Sequence, residues 1–413
     1  MSILSKTMCR KYSASGHSSL DGRYRITIYD AMDDMEEDWA LVAEGKDIFF
    51  SPEFLRVVEK FPASGIKPFY GIVYDEDRPA GILYFQSRYV RLAENLRNPG
   101  DEEQGIFRGI SSLMRKAVVR SINFETVVCG NLMVTGRYGF CFNDTIARDE
   151  QFYLVIKSTE VINKYLTGKD IKPGLVLIKD FFEEDVPSEG EYHKGFTKFS
   201  VQPKMILEMD PSWHTFDDYL DAMKSKYRVR ARNAIKKSAD ITRVIFDETD
   251  IANHRETIHS LYRNVSDQAD FNAFILHQNY FEKISEALGK NMRFTTYWRK
   301  GRMVAFFTSI RNYDILDAHF LGYEPAENAE CQLYLNMLYD LVREAIDIRA
   351  TKVDLSRTAV EIKSTVGAVP HEMYLYLRHT NPLLNKAVET VLSFVKPTEE
   401  YVIRSPFREE KEE

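Results

Sequence analysis

The chain has 413 residues, 44% of them hydrophobic and 28% charged, the composition of an ordinary soluble globular protein with room for two or three domains. The net charge of −7 argues against a general nucleic-acid coat. The four cysteines have no metal-ligand spacing, the N-terminus has no apolar signal segment, and no apolar run approaches the roughly 20 residues that a membrane-spanning helix needs. We therefore expect a cytoplasmic protein with reduced thiols and no metal site.

The residue pattern of the first half predicts a mixed α/β unit. A strand at 25–29 precedes two helices, and the second helix begins at Ser51 and Pro52, a preferred cap followed by a preferred first helical residue. A hairpin follows, in which two β-rich stretches flank the charged turn 75–79. The remaining predicted elements are a third strand at 126–133, a helix at 150–166 and a strand at 174–178.

Between the hairpin and the third strand, residues 102–121 have the pattern of an amphipathic helix with a basic polar face. That face carries four cations: Arg108, Arg115, Lys116 and Arg120. Such a helix is able to lie on an anionic membrane surface. The commoner arrangement is a helix that packs on the sheet and leaves its basic face in solvent, and we favour that interpretation.

The second half repeats the order of the first. Its hairpin at 294–309 again leads into a third strand at 313–323 and then into a helix at 330–347. A repeated hairpin, strand and helix indicate tandem α/β domains with mixed sheets. The polar stretch 183–200 is the predicted linker. The predicted domains are an N-terminal domain at 1–190, a C-terminal domain at 200–382, and a C-terminal helix with an acidic tail at 383–413.

The order strand, two helices, three antiparallel strands, helix, strand, helix, strand resembles that of the GNAT acyltransferase fold. A duplicated GNAT unit is similar to the FemAB-like (Fem-type) family of N-acyltransferases and aminoacyltransferases. Five stretches also resemble that family: Phe50-Ser-Pro-Glu-Phe-Leu55, Cys129-Gly-Asn131, Lys224-Ser-Lys-Tyr-Arg228, His319-Phe-Leu-Gly-Tyr323 and Glu361-Ile-Lys-Ser-Thr-Val-Gly367. The resemblance implies two tandem GNAT-like domains that move an acyl group from an activated donor onto an amine acceptor.

The resemblance leaves the acyl donor open. GNAT enzymes that use acyl-CoA usually carry an (Arg/Gln)-x-x-Gly-x-(Gly/Ala) loop, which binds the pyrophosphate at a helix N-terminus. No such loop precedes helix 150–166 or helix 330–347, and the turn 324–330 is acidic. We therefore expect no tightly bound cofactor, weak binding of free CoA, and acyl-CoA, an acyl carrier or aminoacyl-tRNA as the co-substrate.

Strand 313–323 carries the first candidate catalytic residues. If the strand is regular, Leu316 and its alternate neighbours face the core, and Asp317, His319 and Tyr323 share the other face. In a GNAT-like unit this strand borders the donor cleft, where a base takes a proton from the attacking amine. A histidine oriented by a carboxylate suits that task. The alternative, a structural histidine hydrogen-bonded between the domains, is slightly favoured by the sequence.

Lys363 is the next candidate. Fem-type enzymes use a cation from this part of the second domain beside the reaction centre, where an oxyanion forms. An ordinary surface lysine is the alternative. The nearby Thr358 and Glu361 have the spacing of a capping box, and Glu361 also lies four residues after Arg357, the spacing of a surface ion pair.

The densest basic run falls in the predicted helix 216–237. We assign donor phosphate contacts to two of its arginines, Arg228 and Arg232, and expect a carrier or tRNA to be attracted there. A solvated basic face is the alternative.

Together these patterns predict a transferase that moves an acyl or aminoacyl group onto an amine and needs no metal. Two alternatives remain open at this point. One is a non-catalytic binding protein that retains the fold, and the missing phosphate loop favours it. The other is a lipid-amine acyltransferase with peripheral membrane contact through residues 102–121.

Overall fold

The computed structural model describes residues 17–20, 22–91, 123–186, 195–268, 274–386, 388 and 401–408. The predicted basic helix at 102–121 and most of the predicted C-terminal helix and tail lie outside these residues. In the part of the chain that is described, no helix is both long and apolar enough to cross a bilayer.

The first half forms the predicted order of elements. Ser51 caps the second helix by accepting a hydrogen bond from the backbone N–H of Phe54, at 3.3 Å. The described elements are β1 (His17–Ser19), β2 (Tyr24–Tyr29), α1 (Glu36–Ala43), α2 (Pro52–Lys60), β3 (Ile66–Asp75), β4 (Arg78–Arg91), β5 (Asn123–Cys129), β6 (Phe140–Phe142), α3 (Arg148–Thr167) and β7 (Pro173–Phe181).

A long strand, β8 (Thr197–Glu208), ends the first half, and the second half then repeats the order. Its hairpin turns at Lys300 and Gly301, which both have positive φ (50° and 74°), as a two-residue turn between twisted strands requires. The elements are β8 (Thr197–Glu208), α4 (Phe216–Ala222), α5 (Ser225–Lys237), β9 (Thr242–Phe246), α6 (Glu248–Asn253), α7 (Arg255–Ser266), α8 (Tyr280–Leu288), β10 (Met292–Arg299), β11 (Arg302–Asn312), β12 (Ile315–Tyr323), α9 (Pro325–Cys331), α10 (Leu333–Asp347), β13 (Lys352–Asp354), α11 (Val360–Ser364) and β14 (Val369–His379).

All these strands belong to one sheet whose order is symmetric about its centre. The order is β1-β2-β3-β4-β5-β7-β14-β8-β13-β12-β11-β10-β9, with β6 beside β4. Counted from the central pair β14–β8, β7 corresponds to β13, β5 to β12, β4 to β11, β3 to β10 and β2 to β9. In each half, three antiparallel pairings, from β2 to β5 and from β9 to β12, lead to one parallel pairing, β5 with β7 and β12 with β13. The duplication predicted from the sequence is therefore present as two halves of one continuous sheet, with the same order of strands on either side of its centre.

The centre of the sheet is built by an exchange of strands between the halves. Strand β8 follows β7 in the chain but pairs with β13 of the second half. Strand β14 follows β13 but pairs with β7 of the first half, and also with β8. Each half is therefore completed by a strand that the other half supplies.

Three apolar clusters cover the sheet. One packs α3 on the first half, and one packs α4, α5 and α10 on the second half. The third cluster is shared, because residues of α2 and β3 from the first half pack with residues of α8 and β10 from the second. The two halves are thus joined by a common core as well as by the sheet.

The predicted continuous helix at 216–237 is wrong, because the chain breaks between α4 and α5. Met223 and Lys224 are extended, with ψ of 149° and 142°. Met223 forms a β-bridge with Phe407, and the N–H of Lys224 donates to the carbonyl of Pro406 at 2.8 Å. A segment far along the chain therefore sets the break. The helical segment 248–266 likewise divides into α6 and α7 at His254.

Candidate active site

An opening lies between β12 and β13 of the second half. The two strands pair over only three residues, and Asp317 opposite Asp354 is the last pair. Beyond this point β12 continues to Tyr323 alongside β11, while the chain after β13 turns into a loop and then into α11. Separation of two parallel strands exposes backbone groups and leaves a gap through the sheet, a common location for ligands in α/β proteins.

The loop after β13 has an unusual backbone. Ser356, Thr358 and Ala359 all have left-handed conformations, with φ of 58°, 66° and 49°. Such conformations of residues other than glycine cost about 1–3 kcal/mol each and cluster at functional sites. Ala359 precedes α11 without any side-chain cap, so the predicted capping box of Thr358 and Glu361 is wrong.

The predicted pair of Arg357 and Glu361 is also wrong. Arg357 instead pairs with Asp180 of the first half, and Glu361 pairs with Arg404 near the C-terminus. The loop therefore connects the opening to both the first half and the C-terminal segment.

Lys363 lies on α11, directly behind this loop. Only 4% of its surface is exposed, so the alternative of an ordinary surface lysine is wrong. Its Nζ donates a hydrogen bond to the carbonyl of Arg357. Burial lowers the pKa of Lys363 to about 7, although the Asp354 carboxylate opposes this shift. The ammonium group is therefore able to gain and lose a proton near neutrality.

Asp317 and Asp354 lie side by side at the base of the opening. Asp354 accepts hydrogen bonds from the Lys204 ammonium and from the N–H of Ser356, the latter at 2.8 Å. The Oδ2 atom of Asp317 is buried and has no hydrogen-bond partner among the described residues. Burial, together with the neighbouring Asp354 carboxylate, raises the pKa of Asp317 well above its usual value. Both effects favour the protonated form of Asp317.

His319 lies at an irregularity in β12. The register between β11 and β12 shifts by one residue, so that His319 and Phe320 together stand opposite Thr308 and form a β-bulge. The Nε2 atom of His319 is 2.7 Å from the hydroxyl of Tyr280, and its ring stacks on Phe49 of the first half with centroids 6.4 Å apart. Although part of its surface remains accessible, desolvation lowers its pKa to about 3. The hydrogen bond lies within the second half, and a ring contact, not a hydrogen bond, reaches the first half.

The bulge also changes where Tyr323 points. Before the bulge, Leu316 faces α10 and Asp317 faces the other side of the sheet. After the bulge, Tyr323 lies on the same face as Leu316, and Phe320 lies on the opposite face. The expectation that Tyr323 shares a face with Asp317, and Phe320 with Leu316, is therefore wrong. Tyr323 instead lines a cavity of about 200 Å³ on the α10 side of the sheet.

Three adjoining cavities on this side share one arginine, Arg230 of α5. Their volumes are about 200, 410 and 710 Å³. The first contains Tyr323, Tyr334 and Gln332, and the second contains loop residue Ala359. The third lies along α5. Lys226, Arg230, Asn233 and Lys237 line it at the helical spacing four, three, four, together with Val229 and Lys236. None of these cations forms a salt bridge within the described part of the chain.

The two arginines predicted to contact phosphate lie elsewhere. Arg228 pairs with Asp221 at 3.2 Å, and Arg232 is exposed on another side of α5. Neither lines the three cavities that Arg230 borders. Arg230 could have been singled out in the sequence by its helical spacing from Lys226, Asn233 and Lys237. A count of basic residues does not use that spacing.

The acidic residues before α10 do not form a free negative turn. Residues 325–331 are helical (α9), so the predicted turn is wrong. Glu327 and Glu330 bind Arg299 at 2.6 Å, and Glu327 also binds Arg302 at 2.9 Å. These pairs neutralise the carboxylates, so the electrostatic argument against a pyrophosphate near this helix no longer holds.

The matching gap in the first half is filled. The Nζ atom of Lys179, at the end of β7, donates to the carbonyls of Asn131 and Val134 at 2.8 and 2.9 Å. Asp180 accepts from the N–H of Gly136 at 3.0 Å and pairs with Lys179. Of the two gaps beside the parallel strand pairs, that of the second half is the open one.

Comparisons with known proteins agree with this description. The profile of the acetyltransferase (GNAT) domain family matches residues 225–364, which contain the opening. No curated protein sequence matches the chain significantly.

Several solved structures are similar to this chain. FemX superposes with a TM-score of 0.50 at 12% identity, over 86% of this chain and 98% of FemX. A tandem GNAT protein from the clavulanic acid biosynthesis pathway gives 0.46 at 10% identity, over 87% and 99% of the two chains. L-PGS from Bacillus licheniformis gives 0.43 at 13% identity, over 82% and 95%. The superposition on FemX shows that the chain has a FemX-like fold, and the family profile places a GNAT domain at residues 225–364 of it.

Proposed function

We propose that this protein is an N-acyltransferase that moves an acyl group from a phosphate-bearing donor onto an amine, and that the donor binds in the opening of the second half. The observation that carries this proposal is the gap between β12 and β13, with an unpaired cationic helix face at its mouth and Lys363 behind it. The match of residues 225–364 to the acetyltransferase (GNAT) domain supports the reaction class.

The donor's phosphate groups bind to the cations of α5. Arg230 borders all three cavities of this face, and Lys226 and Lys237 extend the same face. The N-terminus of α10, a helix of 15 residues, opens at Gln332 beside Arg230 and adds a favourable dipole. Cations and a helix N-terminus together suit a phosphate group better than either does alone.

The acyl carbon then lies in the gap, close to the strained loop. A new bond forms between this carbon and the amine nitrogen, the bond from the carbon to the donor breaks, and the carbonyl oxygen is negatively charged in between. Protonated Lys363 stabilises that oxyanion, a task worth about 3–4 kcal/mol in comparable sites. Asp317 accepts a proton from the amine. His319 is held by Tyr280 and Phe49, and it fixes the position of β12 at its bulge.

Acyl-CoA is the donor to test first, because pairing of Glu327 and Glu330 with arginine removes the main argument against it. An acyl carrier and aminoacyl-tRNA carry the same phosphate chemistry. Titration of acetyl-CoA and of aminoacyl-tRNA, each at low and moderate salt, distinguishes them. Only a long polyanion gives binding that weakens steeply with salt.

The sharpest test is Arg230→Ala compared with Arg232→Ala on the same helix. We expect Arg230→Ala to weaken donor binding about tenfold or more in calorimetry, because a charge-assisted contact to phosphate is lost. The control Arg232→Ala should bind as the wild type does. Equal effects of the two substitutions would contradict this donor site. Tight donor binding without any amide product, across a panel of amines, would favour the non-catalytic binding protein.

A further inference from the structure

Another cavity lies on the other face of the sheet, between the two halves. Its volume is about 520 Å³, and both halves line it. Asp317 and Asp354 reach it from the base of the opening, Lys204 from β8, and Asp47 from the first half. Because Asp317 faces away from α10, this cavity is separated by the sheet from the cavities that Arg230 borders.

The buried floor of this cavity has more carboxyl groups than ammonium groups. Three carboxyl groups, those of Asp47, Asp317 and Asp354, accompany the ammonium of Lys204, which pairs with Asp354. Asp47 accepts hydrogen bonds from the Nδ2 of Asn312 at 2.8 Å and from a backbone N–H at 3.0 Å. Asp317 is only 6% exposed, and its Oδ2 atom has no partner among the described residues.

Most charges at the rim have partners of their own. Lys46 binds Asp144 at 3.0 Å, Arg137 binds Asp185 at 3.3 Å, and Lys352 binds Glu208 at 3.0 Å. Arg148 donates to the backbone carbonyl of Glu184 at 2.6 Å. The buried carboxyl groups of the floor are therefore left with Lys204 as their ammonium partner, and burial makes an unpaired charge there costly.

Aromatic rings form part of the walls. The Lys204 ammonium lies 5.8 Å from the ring centre of Tyr138 and 5.7 Å from that of Phe182. Both rings line the cavity, which therefore already accommodates one ammonium group against π faces. A second ammonium would find the same rings and an unpartnered carboxyl oxygen.

We propose that this cavity binds the acceptor as a small protonated primary amine, with its ammonium group on Asp317. The inference rests on the proposed acyltransferase function and names the class and the location of the acceptor. Asp317 and Asp354 form the last pair before β12 and β13 separate, so an amine held there lies at the edge of the gap. The two substrates therefore approach each other from opposite faces of the sheet.

The proton balance of this arrangement is simple. On binding, the ammonium charge favours ionised Asp317, which releases its proton to solvent. The ammonium then gives one proton to the Asp317 carboxylate and becomes a neutral amine. Its nitrogen bonds to the acyl carbon, the bond from that carbon to the donor breaks, and the leaving group takes the second proton.

The test uses benzylamine and its neutral isostere benzyl alcohol, with the full-length protein and no donor present. Calorimetry in two buffers of different ionisation enthalpy measures both affinity and proton release. We expect benzylamine to bind at least tenfold more tightly than the alcohol and to release a proton at neutral pH. Asp317→Asn should weaken amine binding about tenfold and abolish the proton release, since a charged hydrogen bond is lost.

Asp144→Asn at the rim is the matched control, because Asp144 lines the same cavity but is exposed and paired with Lys46. It should leave amine binding unchanged. Asparagine has the shape of a protonated aspartic acid, so the Asp317 variant is expected to fold, which circular dichroism verifies. Amine binding that is absent, matched by the alcohol, or unaffected by Asp317→Asn would overturn the inference. Amine binding without acyl transfer would instead contradict the proposed function alone.

Discussion

Burial disfavours the charged forms of Asp317, His319 and Lys363, which lie on or near β12, and so shifts their pKa values in different directions. It raises the pKa of Asp317, lowers that of Lys363 to about 7, and lowers that of His319 to about 3. A histidine whose pKa is about 3 is a poor proton acceptor at neutral pH, because its protonated form is too unstable. Of the three, Lys363 is therefore the residue that titrates near neutrality, and a cation bound beside Asp317 would favour its ionised form.

The low pKa of Lys363 predicts how the stability depends on pH. Between pH 7 and about 10.5 the unfolded chain keeps the lysine proton and the folded protein does not, so the free energy of unfolding rises with pH, by at most about 1.4 kcal/mol per pH unit. Below pH 7 both states bind the proton and this contribution is flat. Lys363→Met should abolish the rise.

Urea denaturation at pH 6, 8 and 9 provides the measurement. As the pH increases, the free energy of unfolding of the wild type should rise relative to that of Lys363→Met. The exposed Lys226→Met is the control and should track the wild type. A difference between wild type and Lys363→Met that stays constant with pH would show that Lys363 keeps its proton in the folded protein.

At the scale of elements, local patterns predict the hairpins and the helix caps, because short-range chemistry decides them. The turn at Lys300 and Gly301 and the cap at Ser51 are examples. The bulge at His319 was not predictable, since it depends on how β12 aligns with Thr308 of another strand. The same applies to the break before α5, which Phe407 sets from a distance. The face of Tyr323 was mispredicted for this reason.

A close contact between α7 and β12 predicts a sensitive position at Gly322. A Cβ atom there would lie 2.5 Å from the backbone carbon of Leu261 and the backbone nitrogen of Tyr262. Backbone cannot move aside as a side chain can, so Gly322→Ala should destabilise the protein by about 1–3 kcal/mol. It should also weaken donor binding by displacing the adjacent Tyr323.

Gly174→Ala is the comparison, because its added carbon would meet only the side chain of Phe124, at 3.1 Å. Thermal or chemical denaturation of the two variants should therefore give a clearly larger loss for Gly322→Ala. Equal losses would mean that α7 adjusts its position on the sheet without significant cost.

At the scale of the whole molecule, the exchange of β8 and β14 affects the proposed domain boundaries. We keep 1–190 and 200–382 as a proposal for the duplicated units, with 383–413 following them. Residues 1–190 alone would lack β14. Strand β7 would then be an edge strand, paired with β5 on one side and with no strand on the other. The shared cluster of α2 and α8 would be exposed as well. Residues 200–382 contain β14 and nearly all of β8, so the first unit depends on the second for the edge of its sheet, and the shared cluster joins the two.

This interdependence predicts that both halves unfold in one transition, although chains of two domains commonly unfold in steps. The three tryptophans report on the halves separately: Trp39 is buried in the first, and Trp213 and Trp298 lie in the second. A Trp39→Phe variant reports only on the second half, and a Trp213→Phe, Trp298→Phe double variant only on the first.

In urea, each variant's fluorescence transition should coincide with its own far-ultraviolet circular dichroism transition, which follows both halves. Because each variant is compared with itself, a change in stability caused by the substitution does not affect the result. A fluorescence midpoint that departs from the circular dichroism midpoint in either variant would mean that one half stays folded without its exchanged strand, and the boundaries at 190 and 200 would then delimit independent domains.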